Sequence, residues 1–592
     1  MTSTEGVMPA PTGAGLSTGG TVRRNAYGPA GADASRSEAG LAEAGVFGAA
    51  RMGLAGTGAR PAALALPRLA WIAIALALTI PLLATDLPPL VDLPNHLARI
   101  HVLAGLATDP VLARMFEANW SLIPNLAMDL LLVPLAQWLP VYDAGRLFVA
   151  ATLLVPVFGC VALHRAWWGG QDAWPWISAL MAYNALLQIG LLNYVLGVGV
   201  ALLGAAWAIR RARSGPLAWL LAALWGLACL LSHLVAFGLL VMVAGAGVLV
   251  RDRGSPRRLL GQLPLFTAMA GVPAALYLLF GPEGGGVGGL ELTEMIRQTF
   301  AHGLPAYLKT RVKWLISPFA SPVAWLAVPT GLLFLAIIGH ALRRGALALA
   351  PAAILAGGAL ALAFFLLPAW TDNNGLVFQR LGVPLALVAV AGLRPSLPPR
   401  LAQAALAAGG LLLAGQSAAT SWKWHDQERL LHDMRAAIAP IEPGTRVLAV
   451  RDGTSPWHVE PQEGGAQRML SSSISYTHLP GLVLIERNAF FPMIFAAEGR
   501  QPLAVTPAYA SLHQVDGHLS LTRELAEAEH YPPVTEPCTY DPHQPVQCKT
   551  RAWPTRYDYV LRLNAGATAM PDHPRLQHVA GEGFAVLYRV IR

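Results

Sequence analysis

Apolar residues in this chain are laid out in blocks too long for soluble secondary structure. The first covers about 69–87. Others follow near 147–164, 173–190, 192–209, 216–233, 234–250, 259–280, 322–341, 346–369, 382–394 and 401–420. A helix needs roughly 20 apolar residues to cross the hydrocarbon of a bilayer, so the pattern predicts about eleven spans, several of them short or closely joined. Two polar stretches interrupt the blocks, 88–146 and 281–321, and read as outer loops. Within the first loop, Leu97, Ile100, Leu103 and Leu106 repeat at helical spacing, which predicts a helix from Pro94 to about Leu106 lying on the bilayer surface. The piece 125–140 is apolar but short and carries Asp129, which suits an interfacial or re-entrant segment. The second loop opens with the glycine-rich run 281–289. No soluble strand precedes it, so it reads as a hinge or a linker and not as a nucleotide-binding turn.

Residues 1–60, rich in Gly, Ala, Ser and Thr, have no apolar period and read as a disordered tail. After the last block, Trp422 to Ala439 is patterned as an amphipathic helix. Short β-rich runs follow at Arg446–Val450, Leu482–Glu486, Tyr557–Leu563 and Phe584–Val590. The expected fold is therefore a polytopic α-helical membrane protein. A tail (1–60) precedes a transmembrane domain (61–421), and a C-terminal extracytoplasmic α/β domain (422–592) follows.

Composition agrees. Of 592 residues 54% are hydrophobic and 13% charged, where soluble chains carry about 25% charged residues. The net charge of +8 does not indicate nucleic acid, because the arginines fall in short clusters between apolar blocks. Arg23 to Arg68, Arg210 to Arg213, Arg251 to Arg258, Arg343-Arg344 and Arg394 to Arg400 all lie on one side if spans alternate. The positive-inside rule assigns that side to the cytoplasm. The tail is then cytoplasmic, the membrane is the inner (cytoplasmic) one, and an odd count puts the C-terminal domain in the periplasm. Cys538 and Cys548 are close in a polar, Pro-rich segment and suit a local disulfide, which an oxidising compartment permits. Cys160 and Cys229 lie inside apolar blocks and read as small hydrophobes.

Polar residues near lipid are costly and are usually paired or functional. Here they gather at the expected outer ends. In Val91-Asp92-Leu93-Pro94-Asn95-His96-Leu97-Ala98-Arg99 a helix starting near Pro94 puts Asp92, His96 and Arg99 on or near one face. Asp92 is a candidate base, and equally a helix cap. His96 is a candidate partner for it, or plain helix surface like His101. Asp129 is a candidate ligand contact, or the ion-pair partner of Arg99 or Arg146. His233 either contacts substrate or satisfies a helix end. Asn184, Gln188 and Asn193 suit interhelical hydrogen bonds. Asp372 and Arg380 close the set; Arg380 either snorkels to headgroups or binds a phosphate in two-pronged fashion. No zinc spacing, serine elbow, Walker loop or CxxC motif is present.

An acidic residue in the first outer loop, directly after the first span, with many spans and an appended outer domain, resembles the GT-C superfamily of integral membrane glycosyltransferases, which includes protein mannosyltransferases and aminoarabinose transferases. The paired acidic residues often found there are missing, Asp86 and Asp92 being too far apart. The resemblance implies transfer of a sugar from a polyprenyl-phosphate donor to an extracytoplasmic acceptor with inversion. Asp92 would be the general base and His96 would orient it or meet the acceptor. Asn95, Arg99, Asp129, His233, Asp372 and Arg380 would bind substrate. Arg380, Arg99 or a divalent cation (magnesium or manganese) held by carboxylates would meet the departing phosphate. Membrane lipid, the lipid-linked sugar and a glycan, lipid or protein acceptor are the implied partners. Two other readings compete. A transporter or flippase predicts mid-membrane polar residues and repeated halves, and neither is seen. A non-catalytic assembly or sensor protein would use the spans only as an anchor.

Overall fold

The computed structural model describes residues 66–211, 215–282, 292–301, 303–371, 374–453, 476–538, 544–565 and 573–592. The tail expected over 1–60, most of the glycine-rich run and Asp372 lie outside them. The chain is mostly helical. Among the described residues six helical segments are long and apolar enough to cross a membrane: Val141–Trp168, Leu192–Arg210, Leu234–Asp252, Pro256–Phe280, Ala324–Arg343 and Pro399–Ile438. Four apolar segments are shorter: Arg68–Leu83, Pro216–Ser232, Pro351–Leu366 and Phe378–Gly392. We label α1 (Arg68–Thr79), α2 (Leu93–Gly105), α3 (Ala127–Leu135), α4 (Val141–Trp168), α5 (Leu192–Arg210), α6 (Pro216–Ser232), α7 (Leu234–Asp252), α8 (Pro351–Leu366) and α9 (Pro399–Ile438).

Hydrogen bonds between helix ends sort the bundle into two ends. At one, Val91 N and Asp92 N donate to Gln188 O and Ile189 O (3.1 and 3.0 Å), and Leu126 N donates to Leu231 O at 2.7 Å. At the other, Arg251 Nη1 donates to Ile209 O and Arg211 O (2.7 and 2.8 Å), and Arg394 pairs with Asp172 at 2.8 Å. The block at 173–190 does not form one helix. It runs between the two ends as a 3₁₀ helix, Trp174–Met181, and a short α-helix, Ala185–Ile189. Trp174 Nε1 donates to Val390 O at 2.8 Å at one end, and Gln188 O accepts from Val91 at the other. Irregular backbone at such depth survives only inside protein with its polar groups satisfied. Asn184 Oδ1 accepts from Leu186 N and Leu187 N (3.1 and 3.2 Å), and Gln188 Nε2 donates to Tyr183 O at 2.8 Å. Next to this strip α4 and α5 touch backbone to backbone. A Cβ on Gly159 would sit 2.7 Å from Gly199 O, so small residues set the approach. Outward-facing Leu217, Leu278, Leu335, Leu366 and Leu411 leave an apolar girdle around the bundle.

The C-terminal region is a five-stranded sheet of β1 (Val447–Arg451), β2 (Ser520–Leu521), β3 (Tyr559–Leu563), β4 (Leu576–Ala580) and β5 (Ala585–Val590), in the order β4-β5-β3-β1-β2. The pairs β1–β2 and β1–β3 are parallel, and β3–β5 and β5–β4 antiparallel. The run Leu482–Glu486, expected as a strand, is a helix, Leu482–Arg487, with Asn488 in the left-handed region at its end (φ 48°). A four-residue aliphatic run satisfies either period, and packing against α2 decides it. Trp422 to Ala439 is not a separate helix. It continues the last span as α9, whose 40 residues are about 60 Å long, and its far end buries Met434, Ala437 and Ile438 beside the sheet. Cys538 and Cys548 form a disulfide with Cα atoms 5.9 Å apart.

Helix α2 also departs from expectation. It begins and ends where the spacing predicts, but nine of its thirteen residues are buried, so it is no surface helix. It is wedged between the bundle and the α/β domain, and a short strand from the same loop, Phe116–Ala118, pairs with Leu503–Val505 of that domain.

Candidate functional site

The polar cluster of the first loop sits where bundle and α/β domain meet. Asp92 ends the link from α1 and occupies the N-cap position of α2, but its carboxylate makes no capping hydrogen bond. What holds it is backbone: Asp92 N reaches Ile189 O, and Asp92 O accepts from His96 N at 3.0 Å. Gly190, in the left-handed region (φ 97°), lets the two segments touch. A Cβ there would lie 2.7 Å from Asp92 N. The Asp92 side chain is 17% exposed. Burial pushes its pKa up from 3.8 to about 7, against the pull of Arg380.

A polar side chain of the α/β domain lies close to Asp92. His478 Nε2 lies 3.5 Å from Asp92 Oδ1. Asn95 fixes that imidazole. Its Oδ1 accepts from Phe495 N at 2.8 Å and its Nδ2 donates to Met493 O at 2.7 Å, so the amide has one orientation and Nδ2 also faces His478 Nδ1, at 2.9 Å. Nδ1 of His478 is then the acceptor and Nε2 carries the hydrogen. Burial lowers the His478 pKa to about 4, so the ring is neutral at pH 7.

His96, one turn on, stacks edge-to-face with Phe495 (5.1 Å), as His478 does from its own side (5.0 Å). Burial holds its pKa well below 6.5, with Arg99 and His478 adding to the effect and a hydrogen bond to the Gly190 backbone opposing it. Its Nδ1 is buried without a partner.

Arg380 approaches from the segment before the helix Gly382–Gly392. Its Nη1 donates to Gly375 O at 2.6 Å, its own carbonyl accepts from Tyr194 at 2.5 Å, and its Nε is buried without a partner. Among the described residues it pairs with no carboxylate. His233 caps α7 through Nδ1, accepting from Val235 N at 3.0 Å, with its ring against Tyr194 (5.0 Å).

Arg99 and Asp129, expected as substrate contacts, satisfy each other. Arg99 Nε and Nη2 donate to the two Asp129 oxygens at 2.7 and 2.9 Å, with both side chains buried. This ion pair ties α2 to α3 and offers neither group to a ligand. Asn95 is likewise spent on the α/β domain, and Asn193 on Met128 N and Asn125 O (2.8 and 2.6 Å). His101 bonds Asn488 at 2.8 Å. Among the described residues no cluster of three or more His, Cys, Asp or Glu has metal-holding geometry. The expected cation therefore finds no such ligand set among them.

The site thus joins Asp92, His96, His478, Phe495 and Arg380. The sequence points to three of these, Asp92 and His96 by spacing and Arg380 by its place after a polar outer stretch. His478 and Phe495 carry no linear signal, lying about 400 residues downstream of Asp92. Comparison with protein-family models, curated proteins and solved structures finds no match to this chain.

Proposed function

We propose that the chain is a membrane glycosyltransferase that moves a sugar from a polyprenyl-phosphate donor to an acceptor hydroxyl on the extracytoplasmic side, with inversion. The observation that supports this best is an enclosed carboxylate, Asp92, that makes no capping hydrogen bond and whose charge feels a guanidinium, Arg380, that forms no ion pair among the described residues. Such groups are costly to keep beside a membrane bundle, and each suits one half of the reaction. As the acceptor oxygen attacks the anomeric carbon, Asp92 takes its proton. The bond from that carbon to the phosphate oxygen breaks with its electron pair, and Arg380 balances the charge on the leaving phosphate. A base poised near pH 7 is half-deprotonated at neutral pH, which suits general-base work.

The proposed orientation puts the arginine-rich bundle end (Arg165, Arg210, Arg251, Arg394) in the cytoplasm. Eleven passes, counting the broken one at 174–189, then carry the α/β domain to the periplasmic face of the inner membrane. Purified protein in liposomes, given a panel of polyprenyl-phosphate sugars and envelope extract as acceptor, should release free polyprenyl phosphate. Asp92→Asn should lower that release at least ~100-fold. Equal release by both proteins would remove Asp92 as the base.

A further inference from the structure

His478 of the α/β domain lies against Asp92 of the first loop and has no part in the reaction as described above. We propose that His478, supplied by the α/β domain and oriented by Asn95, is a positioning residue that directs its Nε2–H at the Asp92 carboxylate, so that the base is complete only when the two domains are docked.

The geometry fixes each link. Backbone groups at Phe495 and Met493 set the Asn95 amide, the amide sets the His478 tautomer, and the tautomer leaves an N–H 3.5 Å from Oδ1. That separation is longer than an ordinary hydrogen bond and short enough for the N–H to act on the carboxylate electrostatically. All the anchoring carbonyl and amide groups belong to 493–495, in the α/β domain, whereas Asp92 and Asn95 belong to the first loop. The charged and titratable groups around the pair are Arg380 on the bundle side, His96 on α2 and the closed Arg99–Asp129 pair behind it. None of these donates to Asp92, so the His478 N–H is the one donor aimed at it among the described residues. An N–H aimed at a carboxylate favours its ionised form. Removing it raises the pH at which Asp92 loses its proton. His478 takes no proton itself in the reaction; the acceptor's proton stops on Asp92.

This rests on the proposed reaction for its chemical consequence, but its test does not need turnover. The carboxyl stretch of Asp92, isolated as the infrared difference between wild type and Asp92→Asn, is followed against pH in purified full-length protein. His478→Phe should move the midpoint up by about one pH unit and His478→Gln, which keeps an N–H donor, by less. In a transfer assay the same shift lowers kcat at pH 7 about fivefold, recovers at higher pH and leaves KM unchanged. Equal midpoints in wild type and His478→Phe would overturn the proposal. Should the Phe variant not fold, ¹⁵N-histidine spectra of the wild type decide. An Nε2-protonated His478 whose resonance moves with the Asp92 midpoint supports the role, and an Nδ1-protonated or insensitive one overturns it. No transfer by the wild type, with the infrared shift present, would sink the glycosyltransferase reading and leave this contact standing.

Discussion

At the scale of single residues, Asp92 and Asp129 show how environment divides two carboxylates of one loop. Asp129 has both oxygens filled by Arg99. Removing one partner of such a buried pair leaves an uncompensated charge, so Asp129→Ala or Arg99→Ala should cost about 3–5 kcal/mol, whereas Arg99→Met with Asp129→Leu should be close to neutral. Thermal unfolding in detergent measures both. Asp92 has no such partner, and its ionisation opposes folding. The folded group titrates near 7 and an unfolded one near 3.8. The native state therefore holds the extra proton between those values, and stability falls as pH rises through that window. Asp92→Asn should melt higher than wild type at about pH 8, and the two should converge near pH 4. The same protein should be inactive, which is the signature of a group kept for function at the expense of stability.

At the scale of elements, the tight crossing at Gly190 holds the Asp92 link against the broken segment 174–189. Gly190→Val combines a left-handed backbone with a contact to Asp92 N. It should cost about 2 kcal/mol or more and displace Asp92, read as a lower melting temperature together with lost transfer. Much of the element pattern was legible beforehand. The long aliphatic blocks, the start of α2 at Pro94 and the strands β1, β3 and β5 follow from period and turn residues. The errors have physical causes. The run 173–190 has the length and apolarity of a span, yet Pro175, Ser178, Asn184 and Gln188 satisfy the backbone locally and permit 3₁₀ geometry. Leu482–Glu486 is too short for its period to distinguish strand from helix, and β4, with no fully buried residue, has no apolar alternation to reveal it. Helix α2 has one apolar stripe in sequence, but burial extends to its polar face because Asn95 and Arg99 find partners there. No rule of spacing supplies those partners.

At the scale of the whole molecule, the arginine cluster of Arg165, Arg210, Arg251 and Arg394 and the α/β domain occupy opposite ends of the bundle, and α9 runs from the apolar bundle to the sheet without a break. Cysteines introduced at Glu498 and Arg253, both exposed, test the orientation. In intact spheroplasts a membrane-impermeant maleimide should label the first and spare the second, and the reverse would invert the topology. The native Cys160 and Cys229 are buried and should stay silent. The candidate site was half legible for the same reason that it is interesting: its loop half is contiguous in sequence, and its domain half is assembled only by folding.

The most direct test is release of polyprenyl phosphate from lipid-linked sugar donors by reconstituted wild-type and Asp92→Asn protein, followed across pH. Release by the wild type should rise through about pH 7 and level off above it, with none above background from the variant. Release that is equal in the two proteins, or absent from the wild type with every donor, would contradict the proposed reaction.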